Sequence, residues 1–202
     1  VHVRDMARAM LAQGHDVMVL VGGEGPVTED LRALGIPCRT LCWLTRDIHP
    51  LYDIKALGEL RAALRHIQPD LLSIHSTKAG WIGRVAGRSL GIPTLFTAHG
   101  WAFTGGVPRW RQWPTLLAEK LAGSLANCII TVSETDRRLA LRYRLAPAER
   151  IVTVHNGVPE VPPDLRAEPG VQPPRIAMVA RFDPPKDQAL LLEALARLAD
   201  LD

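Results

Sequence analysis

No apolar run among the 202 residues approaches the ~20 that a membrane-spanning helix needs, so no such segment is expected. Cysteine is scarce. Cys38, Cys42 and Cys128 are too few, and odd in number, for a disulfide framework, and they suit a reducing cytosol. Cys38 and Cys42 lack a second pair at metal-knuckle spacing, so no structural zinc is expected. There is no P-loop, no intact G-x-G-x-x-G and no serine nucleophile elbow, which leaves those chemistries without support. The triplet Asp200-Leu201-Asp202 has the form of a metal-binding D-x-D. It is a single short motif at a helix end, and no metal is expected from it.

What is present is enough for a core: 47% hydrophobic and 22% charged residues, with a net charge of +3. The charge is uneven. Residues 51–100 carry six basic and three acidic groups, residues 101–150 eight and four, and residues 151–202 five and eight. The basic excess is small and belongs to no recognised nucleic-acid module, so nucleic acid is not an expected partner. Anionic lipid or phosphate fits the arginine-rich middle better.

Short apolar runs alternate with amphipathic ones. Strands are expected over Val17–Val21, Pro37–Leu41, Leu71–Ile74, Thr94–Thr97, Cys128–Val132, Ile151–Val154 and Ile176–Val179. Helices are expected over Val1–Gln13, Thr28–Leu34, Ile54–Ile67, Ala79–Leu90, Thr115–Leu125, Glu134–Arg142 and Asp187–Ala199. Nearly all-apolar strands belong to parallel sheets covered on both faces, and the alternation predicts a doubly wound α/β fold. Gly35-Ile36-Pro37 and Gly91-Ile92-Pro93 each read as a helix stop leading into a strand. Residues 157–174 hold six of the sixteen prolines and read as a linker. The expected organisation is one domain over residues 1–156, that linker, and the first strand and helix of a second domain over 175–202. The chain opens on Val1 already in a helical pattern, and it reads as an internal stretch of a longer protein.

Ligands of open α/β sheets bind at the carboxyl ends of the strands. His75-Ser76-Thr77-Lys78 follows one expected strand: a hydroxyl cap, a helix N-terminus and a cation together suit an anion, although capping alone accounts for the hydroxyl. His99-Gly100 follows another, where an imidazole is placed to exchange a proton or bond a sugar hydroxyl, or to serve as a structural histidine. Asn156-Gly157 favours a positive-φ turn. Arg181 and Lys186 flank a proline-rich turn before a helix, an arrangement that suits a diphosphate. Arg109, Trp110, Arg111, Trp113 and Lys120 accompany Leu116, Leu117 and Leu121. Cations and aromatics beside leucines fit a membrane surface; a packed loop and helix is the alternative.

In order along the chain, VHVRDMARAMLAQGHDVMVLV, PDLLSIHSTKAGWIGRVAGRSLGIPTLFTAHGWAFT, ANCIITVSETDRRLALRYRLAPAERIVTVHNGV and AMVARFDPPKDQALLLEAL resemble retaining glycosyltransferases of family 4 with the GT-B architecture. The nearest branch builds capsular polysaccharide, exopolysaccharide or O-antigen. The resemblance implies an N-terminal acceptor-side Rossmann-like domain plus the start of a nucleotide-sugar-binding one. It implies a cleft histidine near the transferred sugar at His99, donor-diphosphate cations at Arg181 and Lys186, and cleft or hinge positions at His75, Ser76, Lys78, Gly100, Asn156 and Gly157. Ala180, Phe182 and Asp187 depart from the family pattern but leave both cations in place.

The family's glycine-rich loop and first strand would precede Val1, and its Glu-x7-Glu motif would follow Asp202. An exposed apolar groove in the sheet, a tendency to self-associate and an inactive stretch are therefore expected. The implied reaction moves a sugar, with retention, from a nucleotide-diphosphate donor to a lipid-linked glycan, without metal or other cofactor. The implied location is the cytoplasmic face of the membrane. A nucleotide-sugar epimerase of the same architecture and a non-catalytic sugar-nucleotide-binding module are the alternatives.

Overall fold

The computed structural model describes residues 2–104, 108–158, 160–168, 170–172, 175–180, 182 and 186–199. Helices are α1 (His2–Ala12), α2 (Pro26–Ala33), α3 (Pro50–Ile67), α4 (Thr77–Leu90), α5 (Arg109–Gly123), α6 (Glu134–Arg142) and α7 (Gln188–Ala199). Strands are β1 (Val19–Gly22), β2 (Cys38–Leu41), β3 (Leu72–His75), β4 (Thr94–Ala98), β5 (Cys128–Thr131) and β6 (Ile151–Thr153). All pairings are parallel, but they form two sheets: β1-β2, and β3-β4-β5-β6. This is an α/β architecture, with helices packed over parallel strands.

The two Gly-Ile-Pro segments stop their helices as the sequence predicts. Gly35 and Gly91 take φ of 66° and 70°, and the following isoleucine amides return to Leu31 and Gly87 carbonyls at 2.9 and 3.0 Å. Helix α4 lies unusually close to the larger sheet because it presents glycines there. A Cβ at Gly80 would sit 2.5 Å from the Phe96 ring, and one at Gly83 2.7 Å from Ile74. Asn127 ties the sheet together from a loop, its Oδ1 accepting the Thr94 amide at 2.9 Å.

Between β1 and β3 the sheet is interrupted. Each strand is bonded along one edge, and a slot of about 2430 Å³ separates them. Val19, Val21, Leu72, Leu64, Met6 and Ile82 line it. The expected groove is therefore present.

Some sequence expectations differ from the structure, and helix α3 begins at Pro50 rather than Ile54. Residues 175–180 form no strand, and Val179 is fully exposed, because no neighbouring strand satisfies its backbone groups. Helix α5 begins at Arg109 rather than Thr115, six residues earlier, with Pro114 inside it. Neither Asn156 nor Gly157 takes a positive φ, so that segment leaves β6 extended rather than in the expected turn.

Candidate functional site

Strands β3 and β4 are adjacent and parallel, with His75 in register with Thr97. Both end in histidine at the same edge of the sheet: His75 closes β3 and His99 follows β4 by one residue. Their rings stack at 30° with centroids 5.5 Å apart, and His75 Nδ1 lies 3.2 Å from His99 Nε2. On the other side of the His75 ring, Nε2 is 3.2 Å from Ser73 Oγ. The first residue of α1 completes the group. The His2 ring lies 4.9 Å from that of His99 and 5.5 Å from that of His75.

Burial pushes His75 down from 6.5 to about 4, and the neighbouring His99 and His2 push in the same direction. His99 is also lowered, by burial first and then by His2. Both imidazoles are therefore neutral at pH 7. A neutral imidazole carries one donor and one acceptor, which suits it to bonding a sugar hydroxyl.

Backbone geometry holds the edge in place. Ser76 has φ 70° and ψ 156° at the start of α4, a conformation rare for a residue with a side chain. It occupies the N-cap position, but its hydroxyl makes no capping bond. Gly100, at φ 129°, lets the chain turn away behind His99. The turn then dives inward: Trp101 and Phe103 are buried and stacked at 5.6 Å, and Trp101 Nε1 donates to the Asp136 carbonyl at 2.9 Å.

Lys78 does not offer a free charge to an anion, contrary to the sequence expectation. Its ammonium pairs with Asp53 at 2.5 Å and donates to Thr45 Oγ1 at 3.2 Å and to the Asp47 carbonyl. It latches the β2–α3 loop onto α4. Glu59 pins the start of the same loop, accepting the Cys42 and Trp43 amides at 2.8 and 3.0 Å.

The remaining expected residues divide into three groups. Asn156 and Gly157 are exposed beyond β6, and Gly157 borders the slot. Lys186 is exposed ahead of α7, while Arg181 lies outside the described residues. On α5, Trp110 and Trp113 are 70% and 73% exposed, and Leu117, Lys120 and Leu121 are exposed with them. Leu116 is buried instead, which removes it from any surface role. The side chains of Arg109 and Arg111 lie outside the described residues. No described helix is long and apolar enough to cross a membrane.

His2 and Ser73 were not singled out from the sequence. Ser73 was legible in part, since it shares a strand face with His75 by the period of two. Nothing local marks His2; α1 packs through Ala7 with Leu31 and Ile36, and that placement brings the ring of its first residue to the pair.

The model of the glycosyl transferase 4-like domain matches residues 1–157. The chain is 30% identical over 148 residues to an Escherichia coli UDP-Gal:alpha-D-GlcNAc-diphosphoundecaprenol alpha-1,3-galactosyltransferase, covering 71% of this chain and 37% of that protein. It is 26% identical over 150 residues to the Escherichia coli O-antigen biosynthesis glycosyltransferase WbnH, covering 74% and 43%. Among solved structures, Anabaena HepE in complex with UDP and glucose superposes with a TM-score of 0.59 at 17% identity, covering 77% of this chain and 41% of that one. The matched stretch thus spans about two fifths of these relatives. On the domain match and the identity to these enzymes, the chain belongs to the glycosyl transferase 4-like family.

Proposed function

We propose that the protein of which this chain forms part transfers a sugar, with retention, from a nucleoside-diphosphate sugar to a lipid-linked glycan in surface-polysaccharide synthesis. The observation that carries this reading is the pair of neutral histidines at the carboxyl edge of β3 and β4 in a family 4-like domain. The acceptor class is taken from the diphosphoundecaprenol-linked substrate in the name of the 30%-identical relative. The donor class is taken from that same name and from the UDP held by the HepE structure.

In this reading residues 1–156 are the acceptor-side domain, residues 157–174 a linker, and residues 175–202 open the donor domain. His99 bonds a hydroxyl of the reacting sugars, and His75 and Gly100 hold it in place. Ser76, Asn156 and Gly157 border the cleft. Arg181 and Lys186 neutralise the departing diphosphate, so the transfer step needs no metal. The exposed face of α5 brings the domain to the cytoplasmic membrane surface, where a lipid-linked acceptor resides.

The test uses the full-length protein with UDP-sugars and a diphosphoundecaprenol-linked acceptor. The expected result is an acceptor-dependent, elongated lipid product, with His99→Ala lowering the rate about 10²-fold. Interconversion of the donor without acceptor would overturn transfer in favour of epimerisation. Donor binding without turnover would favour a regulatory module.

A further inference from the structure

We propose that His2, His75 and His99 form a three-nitrogen site for a borderline divalent cation of the Zn(II) class. The three ligand atoms, one from each ring, lie within 4.8 Å of one another. The closest pair, His75 Nδ1 and His99 Nε2, stand 3.2 Å apart. Two nitrogens each about 2.05 Å from a tetrahedral zinc would be separated by about 3.3 Å. The pair therefore already has the edge length of a zinc tetrahedron.

The donor set selects the metal. All three ligands are imidazole nitrogens, and among the described residues no carboxylate joins the group. Oxygen-seeking Mg(II) and Ca(II) have nothing to hold there, whereas Zn(II), Co(II), Ni(II) and Cu(II) favour such nitrogens. Three protein ligands leave a fourth position open to water or an exogenous ligand.

An outer partner is also in place. Ser73 Oγ, 3.2 Å from His75 Nε2, can accept that N–H, which fixes the tautomer and leaves the Nδ1 lone pair toward the metal. The site is assembled from three elements: the start of α1, the last residue of β3 and the residue after β4. His2 and His75 are half-buried and His99 is exposed, and ring pairs standing as far as 4.8 Å apart close toward the tetrahedral edge when all three hold the cation.

Filling the site engages the His99 nitrogen that faces His75. If His99 bonds a sugar hydroxyl, as proposed above, a bound cation competes with the acceptor. This consequence rests on the proposed function; the metal site does not.

The purified 202-residue chain, freed of metal with chelator, is titrated with Co(II), and its visible d–d absorption is followed. The expected result is one Co(II) per chain with the intensity of a four-coordinate nitrogen site, displaced by one equivalent of Zn(II). His2→Gln, at the half-buried first residue of α1, should abolish the band without unfolding the chain. Ser73→Ala should weaken binding about 10-fold. His66→Ala, on the exposed side of α3, should leave the band unchanged. No band at stoichiometric Co(II), a band that survives both His2→Gln and His75→Ala, or a thiolate charge-transfer band from the cysteines would each overturn the site. Because the readout is the metal's own spectrum, its failure leaves the transfer reading intact, and loss of transfer leaves the spectrum intact.

Discussion

Arg84 Nη2 donates to Glu119 Oε2 at 2.8 Å between two side chains that are 0% and 2% exposed. This pair joins α4 to α5. Glu119 also accepts from Trp81 Nε1 at 2.9 Å, Arg84 Nε donates to the Gly80 carbonyl at 2.8 Å, and the guanidinium lies 4.0 Å over the Phe96 ring. Desolvation pulls the Arg84 pKa down, and Glu119 opposes that pull. A buried pair of this kind adds little net stability over apolar residues, but breaking it strands a charge.

Glu119→Ala should therefore lower stability by about 3–5 kcal/mol, because Arg84 remains buried and unpaired. The double variant Arg84→Met/Glu119→Leu should recover most of that loss. Urea unfolding followed by circular dichroism measures both. A loss below about 1 kcal/mol for Glu119→Ala, the range of an exposed pair, would show that water reaches the site.

The same pair shows where sequence reading ended. Periodicity placed α6 at Glu134–Arg142 and brought β2, β3, β4 and β5 within one residue, because apolar runs and glycine stops act locally. His75 and His99 were legible as strand-end residues for the same reason. Arg84–Glu119 was not, because two residues 35 apart carry no pattern that announces a buried contact. The start of α5 was missed because Trp110, Arg111 and Pro114 read as loop, while tertiary packing of Leu116, Glu119 and Ala122 outweighs that local signal. The apolar run Ile176–Val179 has the pattern of a strand but forms none, since a strand exists only where a partner bonds it.

Acid should destabilise the metal-free chain through the histidine cluster. The His75 pKa falls from 6.5 to about 4 on folding, so between those values the unfolded chain binds more protons. Stability from this group is fully present above about 6.5 and is lost as pH falls to about 4. His99 acts in the same direction. Urea midpoints measured across that window with chelator present should decline, and His75→Gln should flatten the slope. An unchanged slope in His75→Gln would mean that His75 titrates freely when folded.

The interrupted sheet should make the chain associate. β1 and β3 each leave one edge unbonded, and the slot between them is lined mostly by aliphatic side chains. Unpaired edges and exposed apolar surface both recruit other chains. Sedimentation velocity should show mass rising with concentration, and an apolar dye should fluoresce on binding the slot. A monomer at every concentration that leaves the dye dark would mean that the slot closes in solution.

Docking of α5 on a membrane surface, which the proposed transfer to a lipid-linked acceptor requires, can be tested directly. Trp110, Trp113, Leu117 and Leu121 recur at steps of three, four and four residues, so they form one stripe, and each is at least 59% exposed. The opposite face carries Leu116, Glu119 and Ala122 into the protein, so Glu119 fixes which side α5 turns outward. Lys120 is exposed on the same helix, and Arg109 and Arg111 add charge to its first turn. Each cation near an anionic leaflet contributes about 1 kcal/mol, an attraction that salt screens. Flotation should recover the chain with anionic vesicles at low salt and much less with neutral ones. Arg109→Glu/Arg111→Glu should remove that difference, because it reverses the charge and leaves the apolar stripe. Trp110→Ala/Trp113→Ala should weaken binding to both vesicle types, because those rings supply the apolar contact. Equal recovery on both vesicles by the unmodified chain would sink the electrostatic part. Full recovery of the tryptophan variant would sink the part played by the stripe.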